Sequence, residues 1–149
     1  MELILWRHAE AEDAAAGGDA ARALTRRGRK QAERMGEWLK PRLSDEWRIL
    51  ASPAKRAVQT AKGLGLDFEE REALGTGASA ASILREAGWP DGKRPVVVVG
   101  HQPTLGEVAA KLLGARADVP VRKGAIWWFA AKGGQAVLRC VLDPDLLER

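Results

Sequence analysis

The strongest constraint on the fold of this chain is a run of four consecutive valines at positions 96–99. An unbroken run of β-branched residues is typical of a strand that is covered on both faces, and such strands occur in parallel sheets. A second apolar run, Leu3-Ile4-Leu5-Trp6, lies near the start of the chain and predicts another buried strand. We therefore predict an α/β fold with a parallel sheet.

Helical patterns lie between and after these strands. Thr25 is a good N-cap for a helix over residues 26–39, in which apolar residues recur at helical spacing. A shorter helix is predicted over residues 80–87, and an amphipathic helix is predicted to start at Pro103 and to stop at Gly114.

Shorter elements complete the predicted chain. They are a strand over 47–51, a hairpin formed by 125–131 and 136–142, and loops over 9–24 and 66–78. Ser52 is a suitable N-cap and Pro53 suits a first helical position. That start places Arg56 in the first turn of a helix that directly follows a strand.

Composition limits the class of protein. At 149 residues and 46% hydrophobic content, we expect one domain over residues 1–149. The single cysteine, Cys140, excludes an internal disulfide and is interpreted as a core residue. The first strand leaves no room for a secretory signal, so we expect a cytoplasmic protein. A net charge of +4 is a mild excess that is usual for a soluble surface. If it has a function, it indicates an anionic partner, without choosing among a phosphate compound, a phosphoprotein and nucleic acid.

The only two histidines of the chain both follow predicted buried strands. Arg7 and His8 end the first apolar run, His101 ends the valine strand, and Arg56 lies at a third strand-to-helix junction. Because ligands of parallel α/β sheets bind at the carboxyl ends of the strands, we expect these four side chains at one edge.

Two guanidinium groups and two imidazoles suit phosphoryl transfer. Arginine binds phosphate oxygens through a planar fork of donors, one neutral imidazole can attack phosphorus, and the other can stabilise developing charge. Positive neighbours favour the neutral form of His8. We expect no metal and no other cofactor, and the residues leave open which nitrogen of His8 attacks.

Four motifs in this order resemble the histidine phosphatase superfamily, in its SixA-type phosphohistidine phosphatase branch. They are Leu5-Trp6-Arg7-His8-Ala9-Glu10, Leu24-Thr25-Arg26-Arg27-Gly28, Ser52-Pro53 through Arg56-Ala57-Val58-Gln59-Thr60-Ala61, and Gly100-His101-Gln102-Pro103-Thr104-Leu105. The family's usual Arg-His-Gly is here Arg-His-Ala, with Ala9 in the third position.

The resemblance implies a fold and a set of roles. The fold is a three-layer α/β/α sandwich with a mostly parallel central sheet, an antiparallel edge strand and helices on both faces. His8 is implied to form a covalent phosphohistidine, and Arg7, Arg56 and His101 to complete the phosphate pocket. Gln102 is expected to bind substrate beside them.

A general acid is harder to assign from the resemblance. Many relatives carry an acid on a loop inserted after the second helix, and this insertion is short here. Glu72 is our candidate, with Glu10 as the second choice. A short insertion implies an open pocket, which favours phosphohistidine on a protein as the substrate.

Two alternatives remain at this point. One is a phosphomonoesterase for a small phosphorylated metabolite. The other is a non-catalytic module that binds phosphate or nucleic acid, although no RNA-recognition signature is present. We expect a phosphorylated protein or small substrate as partner, and neither nucleic acid nor a membrane.

Overall fold

The computed structural model describes residues 1–147, which form six strands and four α-helices. The strands are β1 (Glu2–Arg7), β2 (Arg48–Ala51), β3 (Glu69–Glu70), β4 (Val96–Gly100), β5 (Ile126–Lys132) and β6 (Gln135–Leu142). The helices are α1 (Arg26–Leu39), α2 (Lys55–Lys62), α3 (Ala80–Ala87) and α4 (Thr104–Leu113). Single turns of 3-10 helix occur at Asp19–Ala21, Lys40–Arg42, Glu72–Leu74 and Pro144–Leu147.

The strands form one mixed sheet in the order β3-β2-β4-β1-β5-β6. The first four strands in this order run parallel, with β4 between β2 and β1. Strand β5 pairs antiparallel with β1, and β6 pairs antiparallel with β5. The mostly parallel sheet is therefore confirmed, and its antiparallel part is the predicted hairpin.

Helices cover both faces of the sheet, which explains the unbroken valine run. Val96 and Val98 belong to one core with residues of α3 and α4, whereas Val97 and Val99 belong to a second core with residues of α1 and α2. All four valines are fully buried. Since neither face of β4 meets water, there is no position in this strand for a polar residue.

Local predictions were wrong at two places. Helix α2 begins at Lys55 with Ala54 as its N-cap, and not at Pro53, because the Ser52 side chain lies outside the helix and contacts His101. The predicted 66–78 loop contains β3, which pairs with the end of β2, and one turn of 3-10 helix.

Cys140 packs against the second core but is not enclosed in it. It lies on the edge strand β6 and is only half-buried, because one side of that strand has no neighbouring strand in residues 1–147. Within residues 1–147, no helix is long and apolar enough to span a membrane. The cytoplasmic location stays a prediction.

Candidate active site

Three parallel strands end side by side and bring the two histidines together. The backbone N–H of His8, just after β1, donates to the Gly100 carbonyl at the end of β4, at 3.0 Å. The N–H of Ser52, just after β2, donates to the Val99 carbonyl, also at 3.0 Å. The His8 and His101 rings lie 5.3 Å apart between centroids. The predicted edge of the sheet is thus one compact site.

A backbone carbonyl fixes the tautomer of His8. Its Nδ1 lies 2.7 Å from the carbonyl oxygen of Ala9. A carbonyl oxygen can only accept, so Nδ1 carries the proton and Nε2 keeps its lone pair. Burial is the largest cause that lowers the pKa of His8, and the hydrogen bond to Ala9 opposes it. The charges of His101, Arg56 and Arg7 also lower it, and the resulting pKa is about 3. His8 is therefore neutral at physiological pH, with Nε2 free to act as a nucleophile.

Helix α2 holds the segment that carries His8. The Oγ1 of Thr60 accepts from the Ala9 N–H at 3.0 Å and donates to the Arg56 carbonyl at 2.8 Å. The side chain of Gln59 accepts from the Leu24 N–H at 2.7 Å. The neighbouring pair Gln59-Thr60 thus ties both ends of the 9–24 loop to the helix that presents Arg56.

Close packing on the other side of this segment requires a glycine. A Cβ added to Gly28 of α1 would lie 1.9 Å from the carbonyl oxygen of Glu10, so a larger residue would displace the segment that carries His8. Ala9 is fully buried in a small apolar cluster with Ala11, Leu24 and Ala32. Its methyl group is accommodated in this cluster.

A serine hydroxyl positions His101. The Nε2 of His101 lies 2.7 Å from Ser52 Oγ, and the same oxygen accepts from the Ala54 N–H at 3.2 Å. Within residues 1–147, Nε2 is the one acceptor within hydrogen-bond distance of the Ser52 hydroxyl, so the hydroxyl donates to it and a neutral His101 carries its proton on Nδ1. Burial, followed by the charge of Arg56, lowers the pKa of His101 to about 4. Ser52 was missed as a site residue, and its strand-end position beside the two histidine junctions was the available signal.

Both arginines are oriented by groups that the sequence did not identify. Arg7 Nη1 donates to the Val121 carbonyl at 2.9 Å. Arg56 Nη1 donates to the Asp19 carbonyl at 2.8 Å, and Nη2 pairs with the Asp19 carboxylate at 3.1 Å. Asp19 lies on the 3-10 turn of the predicted 9–24 loop. Its carboxylate accepts hydrogen bonds from Arg22 and Arg56, and these lower the pKa of its carboxyl, with the Arg22 bond as the first cause and the Arg56 bond as the second.

Three N–H groups of this site are left without partners. Within residues 1–147, the buried side-chain nitrogen and oxygen atoms that lack a hydrogen bond are Arg7 Nε, Arg56 Nε and His101 Nδ1. Buried polar groups are normally satisfied, so three unpaired donors in one site indicate a ligand with several acceptor oxygens. A phosphoryl group has that chemistry, and two of the donors are charged.

Comparisons with known proteins agree with this geometry. Residues 3–75 match the family model described as histidine phosphatase superfamily (branch 1). A phosphohistidine phosphatase SixA homolog of Haemophilus influenzae is 38% identical over 131 residues, which are 78% of this chain and 79% of the relative. The chain belongs to the histidine phosphatase superfamily.

Further relatives place this phosphatase in the SixA-type branch. Phosphohistidine phosphatase SixA of Escherichia coli is 29% identical over 126 residues, which cover 75% of this chain and 74% of the relative. A solved structure of the protein histidine phosphatase SixA, complexed with tungstate, has a TM-score of 0.82 and 25% identity. That match covers 99% of this chain and all of the solved chain.

The remaining predicted site residues make no hydrogen bond to either imidazole in residues 1–147. The Gln102 side chain donates to the Val119 carbonyl at 3.2 Å and accepts from the Gly106 N–H, so both ends of its amide tie α4 to the following loop. Its contact with substrate stays a prediction. Glu72 is exposed at the start of a 3-10 turn after β3, and in residues 1–147 its carboxylate makes no hydrogen bond or ion pair.

Glu10, the second candidate acid, is half-buried beside Arg7. Its carboxylate accepts from Thr25 Oγ1 at 3.2 Å, and both Glu10 and Arg7 line one cavity. No group of three or more histidine, cysteine or carboxylate side chains in residues 1–147 is arranged to hold a metal ion.

Proposed function

We propose that this phosphatase removes the phosphoryl group from phosphohistidine on a protein, through a covalent intermediate on His8 and without a metal ion. One observation carries the mechanism. The lone pair of His8 Nε2 lies in the same site as three unpaired donors, on Arg7, Arg56 and His101. The names of the SixA relatives support the choice of substrate.

In the first step, His8 Nε2 attacks the phosphorus atom of the substrate. A new N–P bond forms as the P–N bond to the substrate imidazole breaks, and that imidazole leaves neutral after taking up a proton. The unpaired N–H groups of Arg7 and Arg56 hold the phosphoryl oxygens, and His101 donates from Nδ1. Catalysis in this step is positioning and electrostatic stabilisation, which needs no metal.

In the second step, water attacks the phosphorus atom of phospho-His8. The N–P bond breaks, inorganic phosphate leaves, and the proton lost by water passes to solvent or to the departing phosphate. Nε2 regains its lone pair, while Nδ1 keeps its hydrogen bond to the Ala9 carbonyl throughout. The fixed Nδ1–H therefore holds one ring orientation through both steps.

Rapid mixing with a radiolabelled phosphohistidine peptide tests this proposal. The reaction is quenched in base, in which phosphohistidine survives, and the labelled residue is mapped. We expect label on His8 and turnover that chelator does not change. Label on another residue, or full activity with no label at any quench time, would contradict the mechanism; loss of activity in chelator that a divalent ion restores would contradict metal independence.

A further inference from the structure

A cavity of about 350 Å³ is lined by Arg7 but by neither of the two histidines. Arg7, whose Nε is one of the unpaired donors of the candidate site, thus belongs both to that site and to this cavity. Arg27 at the start of α1 and Lys123 in the loop before β5 also line it. A segment of substrate that extends from the phosphoryl group past Arg7 would enter this space.

The positive charges that line the cavity are only partly neutralised. The lining holds four cations and three carboxylates, and the carboxylates are Glu10, Asp143 and Asp145. Two of the carboxylates are paired with Arg122, whose Nη1 lies 3.2 Å from that of Asp143 and 3.8 Å from that of Asp145. Arg27 and Lys123 are both exposed, and in the part of the chain that the structure describes neither makes a hydrogen bond or ion pair. These two side chains, which we call the Arg27–Lys123 pair, are available to an anionic group.

We propose that the Arg27–Lys123 pair binds acidic side chains that flank the phosphohistidine of the substrate protein. This subsite rests on the proposed function, because it names the surroundings of the phosphohistidine that reaches His8. The Glu10 carboxylate in the same cavity is already engaged with Thr25. The Glu10 carboxylate repels an acidic side chain of the substrate that lies next to it and not next to the Arg27–Lys123 pair.

Peptides that differ only next to the phosphohistidine test the subsite. Three phosphohistidine peptides of equal length carry Glu, Gln or Lys at the flanking positions, and kcat/KM is measured for each at low ionic strength. We expect the Glu peptide to exceed the Lys peptide about tenfold, since two exposed ion pairs each contribute a few-fold. The ratio should shrink toward one in about 1 M salt, because exposed charges are then screened within about 3 Å.

Charge reversal identifies the residues responsible. In Arg27→Glu and in Lys123→Glu, the ratio between the Glu and Lys peptides should invert or vanish. A negative charge in the first turn of a helix is favourable, so Arg27→Glu is not expected to unfold α1. The matched control is Lys30→Glu, which makes the same charge change on an exposed residue of α1 that does not line the cavity.

A second measurement is independent of phosphohistidine chemistry. An unphosphorylated Glu-rich peptide should inhibit hydrolysis of a generic aryl phosphate by the wild-type protein and by Lys30→Glu, and inhibit Arg27→Glu more weakly. Equal turnover of all three phosphohistidine peptides, or the same change of ratio in Lys30→Glu, would overturn the subsite alone. Hydrolysis of aryl phosphate with no turnover of any phosphohistidine peptide would overturn the proposed substrate, and the subsite with it.

Discussion

The two histidines of the site are the same side chain at equivalent positions, yet their neighbours give them different capacities. Each follows a strand of the parallel sheet and both rings are buried. His8 is held by the Ala9 carbonyl, which can only accept, whereas His101 is held by the Ser52 hydroxyl, which can donate or accept. His8 therefore presents a lone pair to the site. The Ser52 oxygen already accepts from the Ala54 N–H and its hydroxyl donates to His101 Nε2, so His101 presents an N–H.

This difference shows that the role of an active-site histidine is set by the group behind its ring. Burial lowers the pKa of both imidazoles by a comparable amount, so protonation does not separate them. What separates them is which nitrogen faces the site and whether it carries hydrogen. The comparison predicts distinct consequences for removing each ring, and those consequences can be measured.

Removing each ring in turn has the largest expected effect. In His8→Ala, turnover of phosphohistidine should fall by at least about 10⁴-fold, because no nucleophile remains. In His101→Ala the loss should be about 10²–10³-fold, the cost of one donor to developing charge. Quenching in base after rapid mixing should trap a phosphoenzyme in His101→Ala and none in His8→Ala.

Circular dichroism of both variants provides the control for folding. The assigned roles are wrong if folded His101→Ala forms no phosphoenzyme on any time scale. They are also wrong if folded His8→Ala still forms a phosphoenzyme.

The hydroxyl behind His101 should contribute about tenfold. Ser52→Ala removes the donor that keeps the proton on Nδ1, so a mixture of tautomers should replace one, and kcat/KM should fall about tenfold. Nitrogen-15 NMR of the imidazoles reports the tautomers directly. His8 should be unaffected in the same spectrum, since its partner is a backbone carbonyl.

Ser82→Ala is the matched control for Ser52→Ala. It removes the hydroxyl that accepts from the Ser79 N–H in the capping box of α3 and that makes no hydrogen bond to either histidine, so it should lower thermal stability without changing kcat/KM. A single unchanged His101 tautomer in Ser52→Ala would contradict the positioning role, whatever the effect on rate.

The sequence predicted the parts of the site that follow from local pattern. The bounds of α1 were correct because Thr25 marks its start and Pro41 its end. Arg7, His8, Arg56 and His101 met at one edge because their strands are parallel. Strand β3 was missed because two residues are too few to show alternation.

The partners of the four residues could not be predicted in the same way. Asp19 reaches Arg56 through the path of a loop, and a Ser-Pro pair is equally typical of a helix start, which hid the contact between Ser52 and His101. The tautomer of His8 depends on a 2.7 Å contact with the next carbonyl, which no residue pattern specifies.

Both histidines should make stability depend on pH. In the unfolded chain an imidazole has a pKa of about 6.5, whereas in the folded state the values are about 3 for His8 and about 4 for His101. Below pH 6.5 the unfolded state therefore binds protons that the folded state does not, and the free energy of unfolding falls as pH decreases.

Denaturant titrations between about pH 5 and pH 7.5 check this slope, in a range where most carboxyls stay ionised. For one fully shifted histidine the slope is at most about 1.4 kcal/mol per pH unit. His8→Gln should reduce the slope relative to the wild type, and so should His101→Gln. An equal slope in all three proteins would show that the histidines titrate normally in the folded state.

The smallest expected effect is that of Glu72→Gln on phosphohistidine, and it tests whether this site needs a general acid at all. An alkyl ester expels an alkoxide, and a placed acid is worth roughly 10²–10⁴ in rate for such a step. Phosphohistidine expels an imidazole that can be protonated beforehand, so an exposed, unpaired Glu72 should change its kcat/KM by less than about twofold. Glu70→Gln on the adjacent strand is the control for the change of charge alone.

The wild type should accordingly prefer a phosphohistidine peptide over a phosphoserine peptide of matched sequence. Equal kcat/KM for the two peptides would contradict this preference. A large selective loss of phosphohistidine turnover in Glu72→Gln would instead make Glu72 the acid of this reaction, and the contrast between the two histidines would then be incomplete as an account of the chemistry.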